Sequence, residues 1–565
     1  MADQLDLLAD LSEIAGEDSF RVTAYRRAAQ RVRDVSAPVA QLALDGRAKD
    51  LNGIGRTIEA KIIEIIEEGE IRALTKRKGL VPPDVVRFTK LPGLGPKTAR
   101  KIWKDLGVTT VGELREAAGA QRLRTLPGIG AKLEDSVLKS LDAAPEEAPD
   151  EPRRALLGRA LPALQAVVSV LSDHPVCEQV SVAGSARRMK ETVRDLDIIA
   201  TASDPPALID YFTKLRWVVE VVAQGDTKAT VVSHDGYRFD LRVVPPECYG
   251  NLLQHFTGSK EHNVVLREEA VRRKLSVSEY GIKDVESGET FTAATEGELY
   301  ERLGYTWIPP ELRENTGELT AARDGTLPTL VELADLRGDL HTHTHWSADG
   351  TNTLEEMVRS AEARGYDYYA VTDHSHYLRE TRLEAQWDEI EAVQERVGIR
   401  ILRGVEVNIR ADATLDMADE LLAQLDWVVA SVHAVREKNP TERALAAMDN
   451  PYVDCIGHLT GRRLNKRPPV EIDLERVIEK ALETKTVLEI NSQPDRLDLR
   501  DVHARAAREA GLVLAVNSDG HELGAQNYVE FGIGQARRAW LTKADVLNTR
   551  TWKQIERIRK RRPST

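Results

Sequence analysis

From Asp339 onward, short apolar runs alternate with helical patterns, and a histidine or an acid stands where most of the runs stop. The runs are YYAVTDHS, ILRGVEVNI, WVVASVH, VDCIGH, TVLEIN and LVLAVNSDGH. Strand-length apolar segments separated by helix-length periodicity point to parallel strands joined by crossover helices. This half is therefore expected to form a parallel β/α barrel or a distorted relative of one. In such a barrel the C-terminal strand ends converge on one mouth, where chemistry gathers. Nine of the thirteen histidines lie beyond residue 335: His341, His343, His345, His374, His376, His433, His458, His503 and His521. One buried histidine is usually a packing residue, but recurrence at strand ends is a ligand pattern. His341 and His343 are two apart, so a strand aims both the same way, and Glu406 and Asp519 add carboxylates. Mixed imidazole and carboxylate favours Zn²⁺, Mn²⁺ or Fe over Mg²⁺, and the number of ligands calls for two to three ions.

The middle of the chain carries a second carboxylate set. VSVAG, LDIIA, WVVEVVA, TKATVVS and YRFDLRVV read as strands of a largely antiparallel sheet flanked by helices. Asp195 and Asp197 open one of these runs, and alternation puts both side chains on one face. Adjacent carboxylates repel and a divalent cation relieves them, so the pair reads as a metal site. Asp240 interrupts YRFDLRVV, where an unpaired charge would be expensive. Three such acids suit two Mg²⁺ or Mn²⁺ ions bridging a 3′-hydroxyl and a nucleoside triphosphate. Gly184 and Ser185 read as a phosphate-binding turn, with Arg188 close by.

Before residue 142 the strand signals fade, and three related segments recur: LNGIGRTIEAKI, LPGLGPKTARKI and LPGIGAKLEDSV. Each reads as helix, Gly-x-Gly turn, helix. The glycine pairs are Gly53 and Gly55, Gly93 and Gly95, and Gly128 and Gly130, with Lys97 beside the second. A turn that exposes the N–H groups opening a helix suits a phosphate. The net charge of −13 argues against a nucleic-acid partner, yet residues 71–104 hold ten Lys or Arg against one acid, Asp84. Local distribution decides binding, and the three segments look like helix-hairpin-helix motifs, a resemblance that implies this region holds DNA backbone. The three cysteines, Cys177, Cys248 and Cys455, have no short paired spacing, which fits a reducing cytoplasm. No run approaches the roughly 20 apolar residues of a membrane helix.

Two stretches resemble known families. GSARRMKETVRDLDIIA resembles family X DNA polymerases, the polymerase β group: Gly184, Ser185, Arg187, Arg188, Asp195 and Asp197 meet the pattern G-S-x-R-R…D-x-D. The resemblance implies a nucleotidyltransferase palm, with Asp240 activating the primer hydroxyl. HFTGSKEHNVVLR is similar to the family's Y-F-T-G-S…N…R segment, which implies that Phe256, Gly258, Asn263 and Arg267 line the nucleotide and template pocket. His255 replaces the usual tyrosine, and Arg194 replaces a glycine. FRVTAYRRAAQRV with its glycine hairpin resembles the family's 5′-phosphate-binding lyase domain, and Lys61 falls at the Schiff-base lysine. Arg27 and Thr57 replace two supporting lysines, which leaves Lys61 as a lyase amine or a plain DNA-facing lysine.

Residues 335–540 resemble the polymerase-and-histidinol-phosphatase (PHP) domain. The resemblance implies the ligands His341, His343, Asp349, His374, Glu406, His433, His458, Asp519 and His521, with SADG one residue longer than the family's SDG at Asp349. It implies Mn²⁺-dependent hydrolysis of phosphodiesters or phosphomonoesters. His345, His376 and His503 are read as supporting residues. The expected layout is a lyase-like helical domain (1–80), a helix-hairpin-helix region (81–145), a palm with a nucleotide-selection part (153–315), a linker (316–335) and the PHP domain (336–565). The expectation is a cytoplasmic, nucleoid-associated monomer that fills short gaps using primer-template DNA and dNTPs, with 3′-end processing in the barrel. Two rivals are a barrel hydrolase whose palm only docks DNA and a non-catalytic gap-recognition scaffold.

Overall fold

The computed structural model describes residues 1–34, 39–44, 46–51, 53–68, 70–78, 80–89, 91, 94–142, 154–379 and 381–560. The chain divides into two compact units, Met1–Arg153 and Arg154–Thr565.

The first unit is helical throughout its described residues. The helices Ala2–Ala15, Ser19–Asp34, Arg56–Glu68, Pro96–Leu106, Val111–Gly119 and Ala131–Asp142 surround a core that includes Leu5, Leu8, Ile62, Phe88 and Ile102. Ile54, Leu94 and Ile129, the apolar residues inside the three Gly-x-Gly turns, are buried and pin each turn to that core. Gly53 and Gly128 adopt φ of 93°, the left-handed region that favours glycine. The helices Arg56–Glu68, Pro96–Leu106 and Ala131–Asp142 start immediately after Gly55, Gly95 and Gly130.

The second unit begins with β1 (Ala155–Leu156), β2 (Cys177–Val182), β3 (Thr192–Val193), β4 (Asp195–Ala202), β5 (Val218–Gln224), β6 (Lys228–Ser233) and β7 (Arg238–Val243). Five of them form a mixed sheet in the order β2-β4-β7-β6-β5, in which only β4 and β7 run parallel. The helices Leu157–Ser172 and Pro205–Thr213 share a core with the sheet through Leu164, Leu171, Ile198, Phe212 and Leu241. Ile199 instead packs with Leu252 and Leu253 of the helix Tyr249–Thr257. Next comes a small antiparallel sheet of β8 (Leu275–Ser278), β9 (Gly281–Asp284) and β10 (Thr290–Phe291), which packs with the helices Lys260–Arg272 and Glu296–Arg302. Residues 316–335 include the helix Glu318–Arg323. There Leu319, Ala322, Leu330 and Val331 are buried, so this segment is packed along its apolar positions.

The remainder is a seven-stranded, all-parallel sheet in sequential order: β11 (Gly338–Asp339), β12 (Tyr368–Val371), β13 (Arg400–Asn408), β14 (Trp427–Ser431), β15 (Cys455–Ile456), β16 (Val487–Asn491) and β17 (Leu514–Asn517). Alternation sends Trp427 and Val429 into one core and Val428 and Ala430 into another, as two buried faces require. Just beyond β11 and β17 the first and last strands meet: Thr342 bridges Gly520, Asp519 N–H donates to the His341 carbonyl (3.0 Å), and His343 N–H donates to that of Gly520 (2.9 Å). The nearly closed barrel and the mixed palm sheet match the expected fold class.

Candidate functional site

The palm carboxylates meet because β4 and β7 are parallel neighbours in register, with Asp197 opposite Asp240 and Asp195 one pleat earlier on the same face. Burial, then the charges of Asp240 and Asp195, push the Asp197 carboxyl up to about 7, while Arg242 and Arg188 pull the other way. Asp240 accepts a hydrogen bond from the Thr230 hydroxyl. Arg194 donates to Asp195 (3.1 Å), so the residue standing for a glycine partly screens the first acid. Gly184, at φ of 66°, lies against Asp197: a Cβ there would collide with Asp197 Oδ2. Ser185 follows in the short turn Gly184–Arg187. Arg188 donates through Nε to Glu314 (2.9 Å) and through a terminal nitrogen to the Thr257 carbonyl, and a Cβ on Gly258 would sit 3.2 Å from that nitrogen.

The four expected pocket residues form one connected group. Asn263 donates to the His255 carbonyl and accepts from Gln254, both at 2.8 Å. Arg267 reaches His255 Nδ1 at 2.8 Å, and burial followed by the Arg267 charge lowers the His255 pKa. Phe256 stacks under the Arg242 guanidinium at 4.4 Å. In the helical unit a Cβ on Gly55, Gly95, Gly128 or Gly130 would meet nothing within 4 Å, so the backbone is open to a partner there. Gly93 lies outside the described residues. Lys97 belongs to a cavity of about 600 Å³ whose cations also include Arg26, Arg100, Lys101 and Lys104. Lys61 Nζ stands 5.9 Å from the Tyr25 ring centroid.

At the barrel mouth, three overlapping triads bring ligand atoms within 4.8 Å of one another: His341, His343 and Asp519; His343, His374 and His521; and His374, Glu406 and His433. His458 Nε2 lies 3.1 Å from Glu406, and Asp349 reaches both His374 and His521 at 3.4 Å despite the longer loop. His341 Nε2, His343 Nε2, His433 Nε2 and one Glu406 oxygen are buried without a well-aligned hydrogen bond, although His374 Nδ1 stands 2.6 Å from that oxygen and Asp519 3.2 Å from His343 Nε2. Orphaned buried nitrogens and oxygens aimed at one another are costly unless a cation satisfies them, and this donor set fits two to three ions. Burial would raise the Glu406 carboxyl, but His433, His374 and His341 hold it well below the usual carboxylate range. Among the supporting histidines, His345 faces Glu389 at 3.6 Å, the His376 ring is 5.3 Å from that of His374, and His503 lies on the helix Asp501–Glu509.

Sequence reasoning missed the residues that orient this set. Glu489, fully buried on β16, accepts from His341 Nδ1 (2.7 Å), and Asn408 accepts from His433 Nδ1 (2.6 Å) while donating to Asp416 (2.8 Å). Glu489 carried a usable signal, a lone acid inside the apolar run TVLEIN, the same signal that singles out Asp240.

Two carboxylate-based centres, one on a mixed nucleotidyltransferase-type sheet and one in a histidine-lined barrel mouth, define a chain built for phosphoryl transfer at two sites. Family comparisons match four stretches: a helix-hairpin-helix domain at residues 1–71, a SAM-like helix-hairpin-helix tandem at 85–143, a DNA polymerase beta thumb at 252–314 and a PHP domain at 339–493. A DNA polymerase/3′-5′ exonuclease PolX of Bacillus subtilis (strain 168) is 38% identical over 99% of this chain and 98% of its own length. Probable phosphatases of Acetivibrio thermocellus and of Thermoanaerobacter sp. (strain X514) are 29% and 31% identical, each over 40% of this chain and 95% of their own length. The chain belongs to the family X DNA polymerases that carry a PHP domain.

Proposed function

We propose that the protein extends the 3′ end of a primer in short DNA gaps with dNTPs, and that its barrel hydrolyses unusable 3′ ends. The observation that carries the reading is the register pairing of Asp197 with Asp240 in a chain whose barrel holds a full set of ligating side chains. Asp195, Asp197 and Asp240 would hold Mg²⁺ or Mn²⁺, and the nine barrel ligands would hold Mn²⁺, Zn²⁺ or Fe. When bound, these ions neutralise clustered carboxylates and act as Lewis acids toward phosphoryl oxygens. Asp240, kept in place by Thr230, accepts the primer hydroxyl's proton. The Gly184–Ser185 turn and Arg188 take the triphosphate, while Phe256, Gly258, Asn263 and Arg267 shape the nucleotide and template pocket. In the barrel, Glu489 fixes the ring of His341 and Asn408 that of His433.

The open Gly-x-Gly turns hold backbone phosphates, which position DNA without reading its sequence. Lys61 contacts DNA near a 5′ end. The similarity of the barrel to probable phosphatases favours 3′-phosphate removal beside exonucleolytic trimming. Among the described residues no helix is long and apolar enough to cross a membrane, and we place the protein in the cytoplasm at the nucleoid as a monomer.

The deciding experiment follows labelled 3′-hydroxyl and 3′-phosphate primers on a gapped duplex, with dNTPs present or omitted, in Mg²⁺ and then Mn²⁺. Asp195/Asp197→Asn should abolish synthesis and spare trimming, and His341/His343→Ala should do the reverse. Synthesis that survives the first variant would reduce the palm to a docking module. Trimming that survives the second would remove the barrel from the reaction.

A further inference from the structure

The barrel touches the palm at the residue that flanks the palm carboxylates. The barrel helix Val529–Arg538 packs against β17 and β16 and ends at Arg538, whose side chain is 3% exposed. Arg538 donates twice to Asp501 of the neighbouring barrel helix (2.9 and 2.6 Å), which fixes the plane of its guanidinium. Its remaining terminal nitrogen points into the palm. It donates to the main-chain carbonyl of Arg188 (2.8 Å) and to Glu314 Oε1 (2.9 Å), the same oxygen that accepts from the Arg188 side chain. Arg188 is thus gripped at both ends, directly at its backbone and through Glu314 at its guanidinium. One turn earlier on the helix, Gln535 donates to the Met189 carbonyl (3.0 Å), and at Gly534 a Cβ would press into the Met189 side chain.

These contacts are built for position. Glu314 is held down to about 2: burial would raise it, and Arg538, Lys190 and Arg188 outweigh burial. The carboxylate is therefore charged at any working pH and has one fixed task, to tie two arginines together. Buried charge networks of this kind hold one geometry and penalise others.

We propose that Arg538, a barrel residue, is a positioning residue for the palm: it fixes Arg188 and the Gly184–Arg188 turn against Asp197, so that nucleotide binding requires the barrel helix independently of the barrel's metal ligands. This rests on the reading of that turn as the triphosphate grip. Lysine at this position keeps the charge beside Asp501 and Glu314 but lacks the fork that reaches Asp501, Glu314 and the Arg188 carbonyl together.

The test measures single-gap filling against dNTP concentration for the full chain, Arg538→Ala, Arg538→Lys, Arg188→Ala and the double variant Arg538→Ala/Arg188→Ala. Barrel hydrolysis of a small phosphodiester in Mn²⁺ serves as the folding readout. The expected result is a KM for dNTP raised about tenfold in Arg538→Ala with a smaller change in kcat, an intermediate KM in Arg538→Lys, and barrel hydrolysis retained. The double variant should lose less than the two single losses combined, because the route through Glu314 to the Arg188 guanidinium can be removed only once. An unchanged KM in the Arg538 variants, or losses at Arg538 and Arg188 that simply add, would overturn the proposal. Loss of barrel hydrolysis in both Arg538 variants would make Arg538 a folding residue and overturn it as well. A normal KM in Arg188→Ala would instead bring down the triphosphate reading of the turn.

Discussion

Glu489→Gln removes one negative charge from behind the barrel ligands while keeping the shape of the side chain. Its two oxygens accept four hydrogen bonds: Oε1 from His341 Nδ1 (2.7 Å) and Asn517 Nδ2 (2.9 Å), and Oε2 from the His458 N–H (2.8 Å) and Asn491 Nδ2 (3.1 Å). A glutamine must turn its amino group toward one of these pairs of donors. If it faces His458 and Asn491, two buried hydrogen bonds are lost. If it faces His341, the imidazole has to give up its Nδ1 proton and carry one on Nε2, the atom aimed at the ligand cluster. Either arrangement costs about 2–4 kcal/mol of stability in the barrel. Losing a carboxylate behind a ligating histidine typically lowers metal affinity about 10–100-fold. Trimming of a labelled 3′ end, titrated with Mn²⁺ after exhaustive dialysis, should therefore half-saturate at a concentration higher by that factor, while gap filling in Mg²⁺ stays normal. A half-saturating Mn²⁺ concentration within about twofold of the unaltered protein's would refute the reasoning, because the carboxylate would then have no hold on the ligand it touches.

Gly184→Ala should abolish gap filling and leave barrel trimming intact, since the added methyl group meets Asp197 Oδ2 at a φ of 66°; primer extension and trimming run side by side check it. His262 is buried between Glu318 (2.7 Å) and Tyr300 (2.9 Å), and burial keeps its pKa below the ordinary value. The unfolded chain then binds the extra proton first, so its contribution to stability is complete above about pH 6.5 and is lost as pH falls through that value, by up to about 1.4 kcal/mol per pH unit. Denaturant unfolding of the full chain and of His262→Gln at pH 7.5 and 5.5 checks the sign, and a pH response equal in the two proteins would exclude it. Lys97→Ala should weaken gapped-DNA binding regardless of sequence and reduce the slope of log affinity against log salt by about one, as read by fluorescence anisotropy across a salt series.

The legible parts of this molecule were those in which a local pattern fixes a side chain's direction. Asp195 and Asp197 share a face because a strand repeats every two residues, and the histidines converge because parallel barrels put strand ends at one mouth. The Gly-x-Gly turns announced themselves through the residue type that most readily takes the left-handed backbone seen at Gly53 and Gly128. Asp240 could be grouped with Asp195 and Asp197 from its charge in an apolar run and from the family resemblance, but its register opposite Asp197 was not readable, because it depends on β4 and β7 becoming parallel neighbours across two intervening strands. Residues 316–335 read as a linker from composition, and the structure buries Leu319 and Val331 there, since sparse apolar residues find a core only after the chain has folded back. Arg538 and Glu314 were invisible for a related reason: two charged residues in unremarkable helical and loop segments acquire meaning only from the surface each one meets.

The stitching of the first barrel strand to the last carries a thermodynamic corollary. His341 and His343 follow β11, Asp519 and His521 follow β17, and the hydrogen bonds Asp519 to His341 and His343 to Gly520 join those two ends of the barrel sequence. The two triads that contain Asp519 or His521 therefore exist only when the first and last strands meet, and whatever binds them acts as a clasp. Metal concentration becomes a control on the ring's opening equilibrium, adding about 2.7 kcal/mol to closure when free metal stands at 100 times its dissociation constant. Amide exchange at the β11–β17 seam should slow accordingly as Mn²⁺ is added, ahead of any change on the opposite side of the barrel.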